Sequence, residues 1–295
     1  MAVTSVETRP RARLRGSLAR RKATNAVAIG LMGVCVVLAL VPLLSLLAYV
    51  IKAGASALSV KALVEAPAPS LEGGGGFGHA IVGSALLLAI AALVGIPWGV
   101  LTAIYLSEFA RGRLGRLVRF FSDVLTGIPT LITGLVVYGL LVIGLGSFSA
   151  LAGGVALALI MLPIITRASE EMLNLVPDSL REAGLALGMP KWKVILRIVL
   201  PTAAKGIVTA NLLALARASG ETAPLIVTVL GSNFFSTKLL GRPMAALPLY
   251  IFQNATQPDP VKRRLAWAAT LVLILFILVL SLAARLVGRA GHDPE

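Results

Sequence analysis

Charge is scarce in this sequence. Asp, Glu, Lys and Arg make up only 14% of its 295 residues, while 57% are hydrophobic and the mean hydropathy is +0.91. A soluble domain carries about 25% charged residues. A chain this apolar has too few polar side chains to cover a water-facing surface. That excludes a soluble enzyme and makes lipid the solvent that suits the chain. Cysteine is nearly absent too. The one present, Cys35, lies inside an apolar run, which rules out an internal disulfide and argues against a thiolate metal site. His79 and His292 are far apart, so no metal site is expected from them. No G-x-x-x-x-G-K-[ST] stretch occurs, so the chain carries no nucleotide-binding loop of that kind. The glycine run Gly73–Gly78 satisfies G-x-G-x-x-G without a strand before it and reads as a flexible linker.

The charge that is present leans basic, with 27 Lys and Arg against 13 Asp and Glu. These residues cluster between long uncharged stretches, as in cytoplasmic loops of membrane proteins. A nucleic-acid binder would need them as one basic face on a soluble fold, so no nucleic-acid partner is expected. Arg9, Arg11, Arg13, Arg15, Arg20, Arg21 and Lys22 precede an apolar run too long for a signal peptide, which is read as a retained first span.

A helix needs about 20 apolar residues to cross about 30 Å of hydrocarbon. Uncharged stretches of that kind predict spans at about Asn25–Tyr49, Gly78–Leu106, Phe121–Ile143, Ala150–Thr166, Ile207–Leu230 and Leu265–Ala284. The third and fourth share 43 uncharged residues between Asp123 and Arg167, divided by a tight turn near Gly144–Ser149. The expected fold is all-α, an integral membrane bundle of about six helices. With the N-terminus inside, the inside segments hold 19 of the basic residues and the outside loops 7, Arg217 lying within a span. Both termini are therefore placed in the cytoplasm, although Lys262, Arg263 and Arg264 run against the rule.

The inside segment from Pro177 to Pro201 carries a helix signal. Ser179 with Glu182 forms a capping box, and Gly188 followed by Pro190 is a stop. A helix of two to three turns is too short to be stable alone and must dock on something. Its apolar side, Leu180, Ala183, Leu185 and Leu187, suits the membrane surface, its own bundle or another protein. Glu182-Ala183-Gly184, Gly188, Ile198 and Leu200-Pro201 match in type and spacing the cytoplasmic signature of binding-protein-dependent ABC importer permeases. The sequence resembles that family, with Gly184 standing where the family has a second alanine. The resemblance implies a type I ABC importer permease fold. It implies that Glu182, Ala183, Gly184 and Gly188 couple the chain to an ATP-hydrolysing subunit.

The fifth expected span reads Ala216-Arg217-Ala218-Ser219-Gly220-Glu221-Thr222-Ala223-Pro224. A central arginine costs about 2.5–3.5 kcal/mol on insertion scales. Spacing of i, i+4 puts Arg217 and Glu221 on one helical face, where they can neutralise each other. The pair reads either as a structural ion pair or as an anion site, with Ser219 and Thr222 lining the path. Arginine suits an oxyanion because its planar fork donates two hydrogen bonds at once and stays charged. In the third span, Pro129 and Thr130 mark a helix kink or a gate. Arg167 reads as an inside anchor or a residue of the path. The acidic residues Glu170, Glu171, Asp178 and Glu182 read as a solvated loop, which leaves no catalytic cluster.

Arg181–Gly188, Gly206–Thr209, Ala216–Pro224 and Met244–Tyr250 are similar to the phosphate-specific members of the permease family, the PstA/PstC group. The last stretch points to the PstA-type branch. The resemblance implies phosphate as cargo and a homologous second permease of PstC type. It also implies two ATPase subunits, which bind ATP and Mg, and an extracytoplasmic phosphate-binding protein. This chain would bind no cofactor itself and would sit in the plasma (inner) membrane. Its organisation would be a basic tail at 1–22, a first span and outside loop at 23–72, a permease domain at 73–288 and a C-terminal tail at 289–295. Another oxyanion, such as sulfate or molybdate, and an ion-gradient carrier are the alternatives.

Overall fold

Without water to satisfy backbone N–H and C=O groups, a chain must pair them within itself, and helices do this locally. The computed structural model describes residues 12–68, 75–110 and 112–289, and every regular element among them is helical. Arg9, Arg11, Gly73, Gly74, Arg111 and His292 lie outside the described residues. The chain divides into two compact units, one ending at Lys52 and one beginning at Ala53. The first is dominated by α1 (Ala12–Ala55). The stretch Arg20–Ala55 of that helix is apolar and long enough to cross a membrane.

The second unit opens with α2 (Val60–Val64), whose N-cap Ser59 accepts a hydrogen bond from Ala62 N. From Gly75 onward the glycine run is a fixed turn rather than the linker expected for it. Gly76 N donates to Ala66 O, Phe77 N donates to Ala62 O, and the Phe77 ring is fully buried. Then follow α3 (Gly78–Glu108), α4 (Arg113–Gly127) and α5 (Thr130–Val137), which runs through a π turn at Tyr138–Val142 into α6 (Ile143–Leu145). Gly146, at φ +69°, ends that helix, and Ser149 caps α7 (Ala150–Asn174) by accepting from Ala152 N. The tight turn expected at Gly144–Ser149 is thus present. The remaining helices are α8 (Asp178–Ala186), α9 (Lys191–Val194), α10 (Leu200–Ala218), α11 (Ala223–Thr228), α12 (Leu247–Ala255) and α13 (Pro260–Arg289). A π turn at Ile195–Val199 joins α9 to α10.

By length and apolarity, five helices among the described residues can cross a membrane, or six if the bent pair α4–α5 is one span. Three expectations need correction. The third span is not continuous, because α4 and α5 meet at 105° across Ile128–Pro129. Proline cannot donate to the preceding turn and pushes the residue before it into extended backbone; Ile128 is at ψ 131°. The fifth span begins earlier, at Lys191, and ends at Ala218 instead of Leu230. The fourth runs on to Asn174, so Glu170 is helical and buried rather than part of a solvated loop.

Small residues let the central helices touch. A Cβ added at Gly99 of α3 would lie 2.7 Å from Ile165 Cγ2, and one at Gly154 of α7 would lie 2.4 Å from Ile90 Cγ2. Lipid is as apolar as leucine, so helices in a membrane associate through such close contact rather than through expulsion of water. The resulting core joins α3 and α7 to α10, α11 and the segment Met244–Leu249. Gly83 is the tightest of these contacts, since its added Cβ would lie 2.0 Å from the backbone oxygen of Ala245. Gly83→Ala is expected to cost about 1–3 kcal/mol through overpacking and to lower the thermal unfolding temperature of the detergent-purified protein. Gly139→Ala, where nothing lies within 4 Å, should leave that temperature unchanged.

Candidate functional site

The Arg217–Glu221 pair does not form. Helix α10 ends at Ala218, the chain turns through Ser219–Glu221, and α11 starts at Ala223. Pro224 is the reason, because it supplies no N–H and its ring would clash with the carbonyl four residues earlier, at Gly220. Glu221 therefore sits on the turn and not one helical turn above Arg217. Among the described residues, no ion pair or hydrogen bond engages the Arg217 side chain. Ser219 is buried and its hydroxyl donates to Ala216 O at 2.7 Å, closing off the end of α10. Thr222 is half-buried at the start of α11.

The guanidinium instead meets the break between α4 and α5. Arg217 lines a cavity of about 30 Å³ together with Thr126, Ile128, Thr130 and Thr133 from that break and Leu159, Ile160 and Ile164 from α7. The cavity is small, and Arg217 is exposed beside it. The two broken helices also pack directly, since a Cβ on Gly134 of α5 would lie 2.7 Å from Pro224 Cα of α11. Thr130 and Arg217, expected in different roles, are thus neighbours, with Pro129 making the break that brings them together. Arg167 stands one turn below Ile164. It pairs with Asp123 at 2.9 Å and with Glu170 at 3.7 Å, which is the behaviour of an anchor between α4 and α7.

The helix after α7 is the second site. It begins at Asp178, not after a capping Ser179, and Pro177 at its N-cap makes no side-chain cap. A proline N-cap has a preset φ but no side-chain acceptor, and Asp178 supplies the negative charge that the first turn favours. The helix stops before Gly188, which takes φ +78°. Gly184 is buried, and a Cβ there would lie 2.7 Å from Ile198 Cδ1 and 3.0 Å from Val194 Cγ2. Both are ends of side chains that can yield, so an alanine would fit with a small shift. Glu182, Ala183, Leu180 and Leu187 are exposed, Leu187 by 82%. On the far side of the protein, burial pushes the Tyr250 phenol up to about 12, so it stays neutral and packs edge-on against His79.

Residues 95–290 match the family model of the binding-protein-dependent transport system inner membrane component. The chain belongs to that family. Among its relatives, the phosphate transport system permease protein PstA of Yersinia pestis is 41% identical over 268 residues, 90% of each chain. The protein of the same name from Haemophilus influenzae is 41% identical over 90% of this chain and 94% of its own. Among solved structures, a bacterial alginate ABC transporter in complex with a pentasaccharide-bound periplasmic protein matches with TM-score 0.66 and 16% identity, over 96% of this chain and 100% of its own. The MetNI methionine ABC transporter matches with TM-score 0.60 and 19% identity, over 74% and 98%. At those identities the structures establish the fold of an ABC importer permease.

In this permease the sequence reading missed the ion pairs where the ends of α3, α4, α7 and α8 meet. Arg119 donates to Glu170 at 2.7 Å, and Arg181 pairs with Glu108 at 3.0 Å. The partners lie 51 and 73 residues apart, so no local spacing announces them. The only signal was residue type, a carboxylate at the end of one apolar run and an arginine at the end of another. Removing one member of a buried pair costs about 3–5 kcal/mol, while an exposed pair is worth about 0–1 kcal/mol. Arg119→Met, which leaves the 6%-exposed Glu170 carboxylate only its 3.7 Å contact with Arg167, is therefore expected to destabilise the purified permease more than Asp123→Asn. Thermal unfolding of the two variants side by side measures the difference.

Proposed function

We propose that this chain is a permease subunit of an ATP-driven importer of inorganic phosphate. It lies in the plasma membrane with both termini in the cytoplasm. Its partners are a homologous second permease, two ATPase subunits and an extracytoplasmic phosphate-binding protein. ATP and Mg belong to the ATPase subunits, and this chain holds no cofactor and catalyses no reaction. Relatives about 40% identical over nine-tenths of the chain carry the phosphate transport permease name, which supports the cargo.

The observation that carries the reading is the Arg217 guanidinium, without an ionic partner among the described residues, at the meeting of two broken helices. An intramembrane arginine without a counter-ion is costly and marks a functional site by default. In secondary transporters, substrate sites form where discontinuous helices meet near the membrane midplane, and the meeting of two broken helices here is the same kind of feature. Arg217 supplies the charge and a two-pronged donor for phosphate oxygens. Thr130 and Thr133 supply hydroxyls beside it. Arg217 is exposed beside this small cavity, and separation of the α4–α5 break from α7 and α10 enlarges it to hold the anion. Closure then expels it, which is how a site of this size transports rather than stores. Motion reaches the site from α8, whose exposed Glu182 and Ala183 form the face that docks an ATPase subunit.

Radiolabelled phosphate uptake by the assembled transporter in vesicles tests this. Arg217→Ala is expected to lower uptake by about tenfold or more, the loss of charge-assisted hydrogen bonds to the anion, with assembly and ATP hydrolysis retained. Glu221→Gln should change uptake little, since Glu221 makes no ion pair with Arg217. Normal uptake by Arg217→Ala would sink the site. If sulfate or molybdate uptake depends on the chain and phosphate uptake does not, the transporter stands and the cargo falls.

A further inference from the structure

The Arg181 guanidinium donates four hydrogen bonds. Nε donates to Glu108 Oε1 at 3.0 Å, and Nη2 reaches the same oxygen at 3.0 Å and the Leu173 carbonyl at 2.8 Å. Nη1 donates to the Val176 carbonyl and to Asp178 Oδ1 at 3.1 Å. That uses four of the five donors of the planar fork, and the side chain is only 17% exposed. The acceptors come from four places. Glu108 is the last residue of α3, Leu173 belongs to the last turn of α7, Val176 lies in the link between α7 and α8, and Asp178 begins α8 itself.

The position explains the demand for a cation. Helix C-termini leave carbonyls without intrahelical partners and carry partial negative charge. The ends of α3 and α7 meet here, and the Glu108 carboxylate, 7% exposed, adds a full negative charge at a helix end that disfavours it. One guanidinium answers all three. A second tie backs it, since Lys191 Nζ donates to the Glu108 carbonyl and lies 4.4 Å from the centre of the Phe109 ring. Helix α8 is also joined to α7 by the short segment Leu175–Pro177 and packs through Gly184 on Val194 and Ile198.

We propose that Arg181 is a positioning residue that clamps the inner side of α8 to the ends of α3 and α7, so that force applied to α8 moves these two helices as one body. The outer side, with Glu182 and Ala183, is left free for the docking subunit. The close contact of α3 and α7 through Gly99 and Gly154 makes them a single lever, and α7 carries Ile160 and Ile164 of the Arg217 cavity. The proposal deepens the reading of α8 as the ATPase docking helix and rests on it. Lysine cannot replace the arginine, because a point charge with three donors cannot span the carboxylate and both carbonyls.

The test uses the complete transporter, with both permeases, the ATPase subunits and the binding protein, reconstituted in vesicles. Phosphate moved per ATP hydrolysed is measured for Arg181→Lys and Glu108→Gln, with the amount of ATPase subunit that co-purifies. Both variants are expected to keep the ATPase subunit and its hydrolysis, while phosphate per ATP falls by about tenfold. The double variant Lys191→Met with Arg181→Lys should fall further. An unchanged ratio in assembled Arg181→Lys overturns the clamp. Loss of the ATPase subunit from Arg181→Lys also overturns it, since Arg181 would then shape the docking face rather than the link to the spans. Glu182→Lys separates the two layers of argument. If it leaves the ATPase subunit bound, the docking reading itself fails. If it strips the subunit while Arg181→Lys keeps the normal ratio, only the clamp fails.

Discussion

Hydrocarbon offers no hydrogen bonds, so any backbone group released from a helix inside a membrane must find shelter in protein. Two helices of this permease break, one at Ile128–Pro129 and one at Ser219–Thr222. Each break frees donors and acceptors that lipid cannot satisfy. The molecule packs the elements that follow the breaks against each other, α5 on α11 through Gly134 and Pro224, and sets Arg217 beside Thr130. Irregular backbone of this kind is also a place where an anion can be recognised, because polar groups are already gathered there. The same constraint thus produces the structural cost and the functional opportunity.

The two arginines argued to matter most are opposites in their chemistry. Arg217 is exposed and has no ionic partner among the described residues, so its charge is available to an anion. Arg181 donates four hydrogen bonds and pairs with Glu108, so its charge is spent on geometry. Between them runs the rigid pair α3–α7, packed through residues too small to leave slack. Arg119, Glu170, Arg167 and Asp123 hold α4 to the inner end of α7. Movement of α7 therefore changes the shape of the α4–α5 break, which forms one wall of the Arg217 cavity. A path of packed and paired residues connects α8 to the Arg217 cavity without a long flexible segment.

Several features are legible in the order of the amino acids alone. The apolar runs locate the membrane helices, because burying about 20 residues in lipid needs that composition and nothing else provides it. The Gly188-Met189-Pro190 stop and the turn at Gly144–Ser149 are readable because glycine's tolerance of positive φ and proline's missing N–H are properties of single residues. The errors have a common cause. Spacing along an uninterrupted helix places Glu221 over Arg217, but Pro224 interrupts that helix, and composition gives no measure of how far back the interruption reaches. The capping box at Ser179 fails for a similar reason, with Pro177 and Asp178 starting the helix before the serine can cap it.

By itself, the sequence determined that this protein lives in a membrane, that its regular structure is helical and that it belongs among importer permeases. Those properties follow from composition, from local backbone rules and from a short signature. Only the tertiary structure decided which charges meet. Arg181 with Glu108, Arg119 with Glu170, and Arg217 with the threonines of the α4–α5 break are contacts between segments far apart in the chain. Such pairings depend on how helices cross and how deeply each end is buried, and side-chain spacing along one helix carries no information about either.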